Sequence, residues 1–183
     1  MALSSTIYNF DIQLSDVDRN VYETLALRVA RHPSETEEYL VTRVLAYCLE
    51  YAEGIAFSKG LAQADEPAIV IRDLTGALRT WIEVGAPDAE RLHKASKAAP
   101  RVAVYIFKEP RIYLGQLAGT RIHRGESIDI FSIDRELLQG LVARLDRRTA
   151  LELAVTERHI YATIGGETID GTIDRLSVPA ATN

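Results

Sequence analysis

Two carboxylates, Asp73 and Glu83, stand at the ends of neighbouring apolar stretches, with residues 74–82 between them. Asp73 closes the stretch AIVIRD, and Glu83 follows directly after Trp81 and Ile82. An isolated ionised carboxylate is costly to bury, so such a group is paired, protonated or given to a cation. If the two side chains converge, their hard oxygens suit Mg²⁺ or Mn²⁺, and the metal would activate a water and stabilise a phosphoryl group under attack.

The same two residues also have a purely structural interpretation. A turn at residues 74–76 reverses the chain, and strict antiparallel pairing then places Asp73 beside the start of the second strand, away from Glu83. In that case Asp73 caps the turn and Glu83 pairs with a cation such as Arg79 or Lys94. The sequence leaves both interpretations open.

A basic concentration follows the second carboxylate along the chain, formed by Arg91, His93, Lys94, Lys97 and Arg101. It could contact a phosphate backbone beside the acidic site. The alternative is a solvated helix face. The chain has a net charge of -5, whereas a protein that mainly coats nucleic acid must neutralise many phosphates.

Hydrophobic periodicity predicts the elements that position these residues. Residues 8–14 and 21–30 alternate as the strands of an N-terminal hairpin, and residues 35–52 form a helix with one apolar stripe. Strands follow at residues 55–59, 68–73 and 78–84, then a helix from Pro87 to Pro100 and a buried strand at residues 101–107. The order over residues 35–107 is therefore helix, strand, strand, strand, helix, strand.

The rest of the chain continues as α/β structure. We predict a helix at residues 110–118, a strand at 128–133, a helix capped by Asp134 and a hairpin near residues 151–164. No linker or repeat interrupts the sequence, and 183 residues with 47% hydrophobic content can bury a real core. The chain is therefore predicted to be one domain over residues 1–183, with its core at about residues 35–107.

Composition excludes several functional classes. The one cysteine, Cys48, rules out an internal disulfide, and its place on the apolar side of a helix favours an inert buried thiol. The histidines are scattered without the spacing of zinc ligands. No stretch approaches the roughly 18 apolar residues of a membrane helix, and the N-terminus has no secretory pattern, so we expect a cytoplasmic protein with no membrane partner.

Six motifs follow one another along the chain: RHPSETEEYLVTR, FSKGL, DEP, DLTG, WIEVGAPD and RLHKAS. Together they resemble the motifs of the YaeQ family across most of the chain. The resemblance implies the restriction-endonuclease-like fold of the PD-(D/E)xK-related superfamily. That fold would be a three-layer α-β-β-β-α-β core with a mixed central sheet, to which this chain adds an N-terminal β-hairpin and C-terminal α/β elements.

The resemblance also implies roles for individual residues. Asp73 would be the aspartate of the second core strand and Glu83 the acidic residue of the third, and both would be catalytic metal ligands. The lysine expected two positions after Glu83 is replaced by Gly85. Lys94 from the following helix would then orient the attacking water and stabilise negative charge as it develops.

The first core helix would supply an accessory acid to this site. Glu35, Glu37 and Glu38 are the candidates. We assign Glu38, because the resemblance supports it and because it lies at the edge of the apolar stripe. The alternative is that these acids only complement the helix dipole.

Two functions follow from these residues. The first is a divalent-metal-dependent phosphodiesterase or nuclease-like activity with Mg²⁺ or Mn²⁺ as cofactor. The second is a non-catalytic regulatory module that binds nucleic acid or protein and keeps a degenerate nuclease site. Gly85 favours the second function, whereas Asp73 and Glu83 favour the first. A shared fold alone does not decide between them, because a fold does not establish chemistry.

Overall fold

The computed structural model describes residues 4–58 and 65–181, which form a mixed α/β structure. In chain order the elements are β1 Thr6–Asp16, β2 Val21–Arg31, α1 Glu37–Leu49, β3 Ile55–Phe57, β4 Ile69–Arg72, β5 Leu78–Val84, α2 Ala89–Ala98, β6 Arg101–Ile106, α3 Pro110–Leu117, β7 Asp129–Ile133, α4 Arg135–Ala143, β8 Arg148–Thr156, β9 His159–Ile164 and β10 Glu167–Ser177. The predicted α/β class and the predicted order α1-β3-β4-β5-α2-β6 are both observed. No helix within the two described ranges is long and apolar enough to span a bilayer.

One mixed sheet contains these strands in the order β2-β1-β8-β9-β10-β7-β6-β5-β4-β3. Strand β10 joins its two halves, because residues 167–172 pair with β9 and residues 173–177 pair with β7. Strands β5, β6 and β7 are parallel, whereas β3, β4 and β5 are antiparallel. The carboxyl ends of β5, β6 and β7 therefore lie at one edge of the sheet, where open α/β sheets bind their ligands.

Helix α1 is buried around its whole circumference. Every residue from Leu40 to Ala46 is buried, including the polar Thr42 and Arg43. A helix of this kind needs cover on all sides, and the sheet provides it by curving around α1 into a nearly closed, barrel-like wrap. The prediction of a single apolar stripe was wrong, because it assumed a helix that packs on one side only.

Helices α2 and α3 cover the opposite face of β5 and β6. Side chains alternate along β5, so Ile82 and Val84 pack in the core around α1. Trp81 packs in a second core with Leu92 of α2 and Tyr113 of α3. In this part of the molecule α1 packs on one side of the sheet and α2 with α3 on the other.

Both terminal hairpins were predicted from the sequence, but the last strand was not. The N-terminal hairpin is confirmed as β1 and β2, which pair residue for residue from Thr6–Arg31 to Asp16–Val21. The C-terminal hairpin is confirmed as β8 and β9. Strand β10 was not predicted, because Ile169, Ile173 and Leu176 are its only large apolar residues and the intervening polar residues are typical of a loop.

Candidate functional site

Asp73 lies in the turn between β4 and β5 and holds that turn together. Its Oδ1 accepts hydrogen bonds from the Thr75 hydroxyl at 2.6 Å, the Thr75 N–H at 2.9 Å and the Ala77 N–H at 3.1 Å. Its Oδ2 accepts one from Arg79 Nε at 2.8 Å. The Thr75 hydroxyl contributes most to lowering the pKa of Asp73 from 3.8 to about 2, and the other donors add to it. Asp73 therefore has the turn-capping role that the structural interpretation predicts.

Glu83 lies at the other end of β5, on the face that carries α2. Its side chain is buried, and its Oε1 accepts hydrogen bonds from Trp81 Nε1 at 2.6 Å and from Arg91 Nε at 2.7 Å. Burial raises the pKa of Glu83, whereas the indole and guanidinium donors oppose that rise by stabilising the charged carboxylate. The cation that the buried carboxylate requires is thus an arginine of α2.

The structure does not bring Asp73 and Glu83 together. Arg72 pairs with Leu78, so Asp73 lies at the turn while Glu83 stands near the far end of β5. Asp73 stands opposite Ala77, so at the usual rise per residue the two carboxylate positions are about 20 Å apart. Within the part of the chain that the structure describes, no three His, Cys, Asp or Glu side chains lie close enough to share a metal ion. The two carboxylates therefore do not fit the predicted Mg²⁺ or Mn²⁺ site, because antiparallel pairing separates them.

Lys94, the predicted substitute for the missing motif lysine, pairs with Asp65 and not with Glu83. Its Nζ lies 2.5 Å from Asp65 Oδ1 in an exposed ion pair. Arg91, almost one helical turn earlier, reaches Glu83 instead, and its Nη2 also donates to the Glu66 carbonyl at 2.7 Å. Glu83 was expected to pair with a nearby cation such as Arg79 or Lys94, and the cation beside it in the structure is Arg91.

The predicted basic concentration does not form one surface patch. Both Arg91 and Lys94 are engaged in the ion pairs just described. Arg101 lies near the other end of α1, where it pairs with Glu50 at 2.5 Å and with Asp129 at 3.2 Å. Arg91, Lys94 and Arg101 are thus each paired with a carboxylate, which reduces the positive charge that the predicted basic concentration offers to a phosphate backbone.

Glu38 lines a cleft at the carboxyl ends of the parallel strands. The cleft consists of two cavities of about 440 Å³ and 430 Å³ that share Glu38, Phe107 and Lys108. We call it the Glu38 cleft, and its lining includes Glu38, Tyr39, Gly85, Phe107, Lys108, Asp134 and Arg135. Glu38, the predicted accessory acid, and Gly85 therefore line the same cleft.

Three charged side chains of the Glu38 cleft have no partner in the part of the chain that the structure describes. Among residues 4–58 and 65–181, the side chains of Glu38, Lys108 and Arg135 make no hydrogen bond and no ion pair. Sequence reasoning missed the two cations. The signal that could have found them is position, because Lys108 and Arg135 each follow the end of a parallel strand, β6 and β7, within two residues.

The other two candidate acids of α1 have different surroundings. Glu35 is buried, and its Oε2 lies 3.2 Å from Arg43 Nη2. Burial raises the pKa of Glu35, and the neighbouring guanidinium opposes that rise. Glu37 is exposed and does not line the Glu38 cleft. Of the three acids, Glu38 is the one with a free carboxylate in a cavity.

Known proteins match this chain in sequence and in structure along nearly its whole length. A family model described as YaeQ protein matches residues 1–173. The uncharacterized protein YaeQ of Escherichia coli (strain K12) is 33% identical over 163 residues, which cover 88% of this chain and 90% of that protein.

Two solved structures share the architecture. The crystal structure of YaeQ protein from Pseudomonas syringae has a TM-score of 0.86 and 32% identity, covering 94% of this chain and 96% of that one. The YaeQ protein of Xanthomonas axonopodis pv. citri has a TM-score of 0.86 and 26% identity, covering 96% and 100%. With the family model matched over residues 1–173, these similarities show that the chain belongs to the YaeQ family.

Proposed function

We propose that the protein is a non-catalytic binding module that holds a nucleic-acid strand by its phosphates in the Glu38 cleft. The observation that carries the proposal is a division of roles among charged side chains. The Asp73 carboxylate holds the turn between β4 and β5, and the Glu83 carboxylate pairs with Arg91. Lys108 and Arg135 line the cleft and have no partner among the described residues.

The chemistry of the cleft supports a phosphate ligand. Lysine and arginine are the side chains that most often contact phosphate oxygens, and such contacts position a strand without selecting its sequence. Helices α3 and α4 begin at the same cleft, and Lys108 and Arg135 stand beside their first turns. Tyr39 and Phe107 are half-buried and offer faces on which a base can stack.

A distant relation to the restriction-endonuclease-like fold belongs to the same proposal. The order α1-β3-β4-β5-α2-β6, with β5 and β6 parallel, supports that relation. Gly85 in place of the motif lysine and Arg91 on Glu83 support a site that has lost its chemistry while keeping its architecture. The cleft would then be what remains of the substrate channel.

Binding is tested by fluorescence anisotropy of a labelled single-stranded oligonucleotide over a series of salt concentrations. We expect Lys108→Ala and Arg135→Ala to weaken binding and to flatten its salt dependence, because each removes one phosphate contact. Glu38→Gln should tighten binding, since it removes a negative charge from the cleft. Lys97→Ala is the matched control, because Lys97 is an exposed lysine of α2 outside the cleft. Equal affinities for wild type and Lys108→Ala would contradict the proposal.

The catalytic alternative is tested separately with Mn²⁺. Adding Mn²⁺ should leave the melting temperature of wild type unchanged, and it should likewise leave that of Glu83→Gln unchanged, because a ligand stabilises a protein only if the folded state binds it. Neither should cleave labelled single- or double-stranded DNA. Metal-dependent cleavage that is lost in Asp73→Ala would overturn the non-catalytic function and restore the predicted nuclease. Cleavage that is lost only in Glu38→Gln and Lys108→Ala would show that the Glu38 cleft is itself a catalytic site.

A further inference from the structure

Strand β2 forms a long, regular edge of the sheet. It pairs with β1 over eleven residues without a bulge, and among the described residues it has no neighbour on its other side. The opposite edge, β3, is only three residues long. Proteins usually guard an exposed edge with a short strand, a bulge, a proline or a lysine, because unpaired backbone groups recruit another strand. The β2 sequence VYETLALRVAR contains neither proline nor lysine.

The backbone groups on the free side of β2 can be identified from its neighbours. The N–H of Asn9 in β1 donates to the Arg147 carbonyl at 2.9 Å, next to β8, so Asn9 faces away from β2. Its partner in β2 is Arg28, and that pair is therefore not hydrogen-bonded. By alternation, the N–H and C=O groups of Tyr22, Thr24, Ala26, Arg28 and Ala30 point to the free side.

The Ala30 carbonyl is not available to a new strand. It accepts a hydrogen bond from Arg43 Nη2 of α1 at 2.8 Å, which confirms the direction deduced from Asn9. The available edge therefore runs from Tyr22 to Arg28, and its midpoint is Leu25. Tyr22 is 57% exposed, and Arg28 has no side-chain partner among the described residues.

We propose that this edge pairs antiparallel with the same edge of a second copy, about a two-fold axis at Leu25. In that register Tyr22 lies opposite Arg28 of the second copy and Thr24 lies opposite its Ala26, so the outward backbone groups of these four residues all find partners. The guanidinium of Arg28 meets the ring of Tyr22, a favourable pairing of a cation with an aromatic face. An axis at Ala26 would instead require the occupied Ala30 carbonyl.

The self-complementary pattern is the reason to assign a second copy as the occupant. A two-fold interface needs residues at equal distances on either side of the axis that suit each other. Tyr22 and Arg28 meet this condition, and no two like charges stand opposite each other, since Glu23 faces Leu27 of the second copy. The resulting sheet is continuous across both molecules. The pairing is independent of the proposed nucleic-acid binding, because it uses none of the cleft residues.

The register is tested by disulfide formation between single-cysteine additions. Residues 24 and 26 of opposite copies would have Cα atoms about 5.5 Å apart, within disulfide range, whereas two copies of residue 24 would be about 9 Å apart. An equal mixture of Thr24→Cys and Ala26→Cys should therefore give a covalent dimer on oxidation, and either variant alone should not. The natural Cys48 is fully buried and does not interfere. A mixture that stays uncrosslinked would overturn the register.

The assembly itself is tested by sedimentation equilibrium over a range of protein concentrations. Wild type should have twice the mass of the 20.3 kDa chain. Ala26→Pro removes an outward N–H without removing a bond to β1, and Ala26→Lys guards the edge by charge, so both should be monomeric with an unchanged far-UV circular dichroism spectrum. Ala26→Val, which keeps the N–H, is the control and should remain dimeric. A monomeric wild type would overturn the proposal and leave the edge to a strand from another protein.

Discussion

The Glu83 carboxylate binds an indole N–H and a guanidinium in a buried position, so its loss would leave two donors without an acceptor. We expect Glu83→Ala to lower the free energy of unfolding by about 2 kcal/mol. Arg91 is partly exposed and can be rehydrated, which keeps the effect below that of a fully buried pair. Urea unfolding monitored by far-UV circular dichroism measures the change.

The control for this substitution is Glu83→Gln, which keeps an oxygen acceptor for Trp81. It should cost clearly less stability than Glu83→Ala, because a neutral acceptor still satisfies the indole. If alanine at this position were as stable as wild type, the ion pair with Arg91 would not be a structural element of the protein.

Asp73 gives a pH dependence whose sign follows from its hydrogen bonds. The pKa of its carboxyl is lowered from 3.8 to about 2, chiefly by the Thr75 hydroxyl, so the unfolded chain binds the proton more readily than the folded one. The stability that Asp73 contributes is therefore present above pH 3.8 and is lost as pH falls towards 2. Urea unfolding of wild type and Asp73→Asn should differ at neutral pH and converge in acid.

Asp174→Asn serves as the matched control for the acid experiment. Asp174 is exposed in β10 and its side chain has no partner among the described residues. Its substitution should leave the pH profile of stability unchanged. A difference between wild type and Asp73→Asn that persists undiminished at pH 2 would show that the turn is held by something other than the ionised carboxylate.

At the scale of elements, the burial of α1 on all sides has a cost at Thr42. The hydroxyl Oγ1 is buried without a hydrogen-bond partner among the described residues. Thr42→Val removes this group while keeping the shape, so we expect it to raise the free energy of unfolding by about 1 kcal/mol. Thermal and urea unfolding measure the gain.

Thr149 is the matched control for Thr42. It is also buried, but its hydroxyl donates to the Asp146 carbonyl and accepts the Asp146 N–H, both at 3.2 Å. Thr149→Val should therefore destabilise the protein. Equal changes in the free energy of unfolding would contradict the difference in hydrogen bonding between the Thr42 and Thr149 hydroxyls.

Local patterns identified most elements of this fold, and their relative placement required the structure. Period-2 alternation was enough for β1 and β2, and helix caps were enough for α2 and α4. Burial cost alone predicted that Glu83 would need a partner, but not which one. The rotation of α2 against β5 decides between Arg91 and Lys94, and it depends on how the helix crosses the sheet. The Glu38 cleft is assembled from chain segments distant in sequence, which no local spacing reveals.

At the scale of the whole molecule, the two cores share β5 and β6, so they should unfold together. Trp81 lies in the core with α2 and α3, while Cys48 lies in the core around α1. The two residues are the only tryptophan and the only cysteine of the chain. We expect tryptophan fluorescence and thiol labelling to report the same urea midpoint, as for a single two-state domain. Separate midpoints would contradict the predicted single domain.

The backbone of Gly85 limits which residues this position can accept. Its φ angle is +97°, and its N–H donates to the Tyr105 carbonyl at 3.0 Å. A Cβ here would come no nearer than 3.9 Å to Tyr39 Cε2, so space is not the obstacle. The obstacle is the left-handed backbone, which costs any other residue about 1 kcal/mol or more. Lysine or any other residue with a side chain would therefore strain the backbone at position 85, so the chain that leaves β5 beside the Glu38 cleft depends on glycine to keep its path.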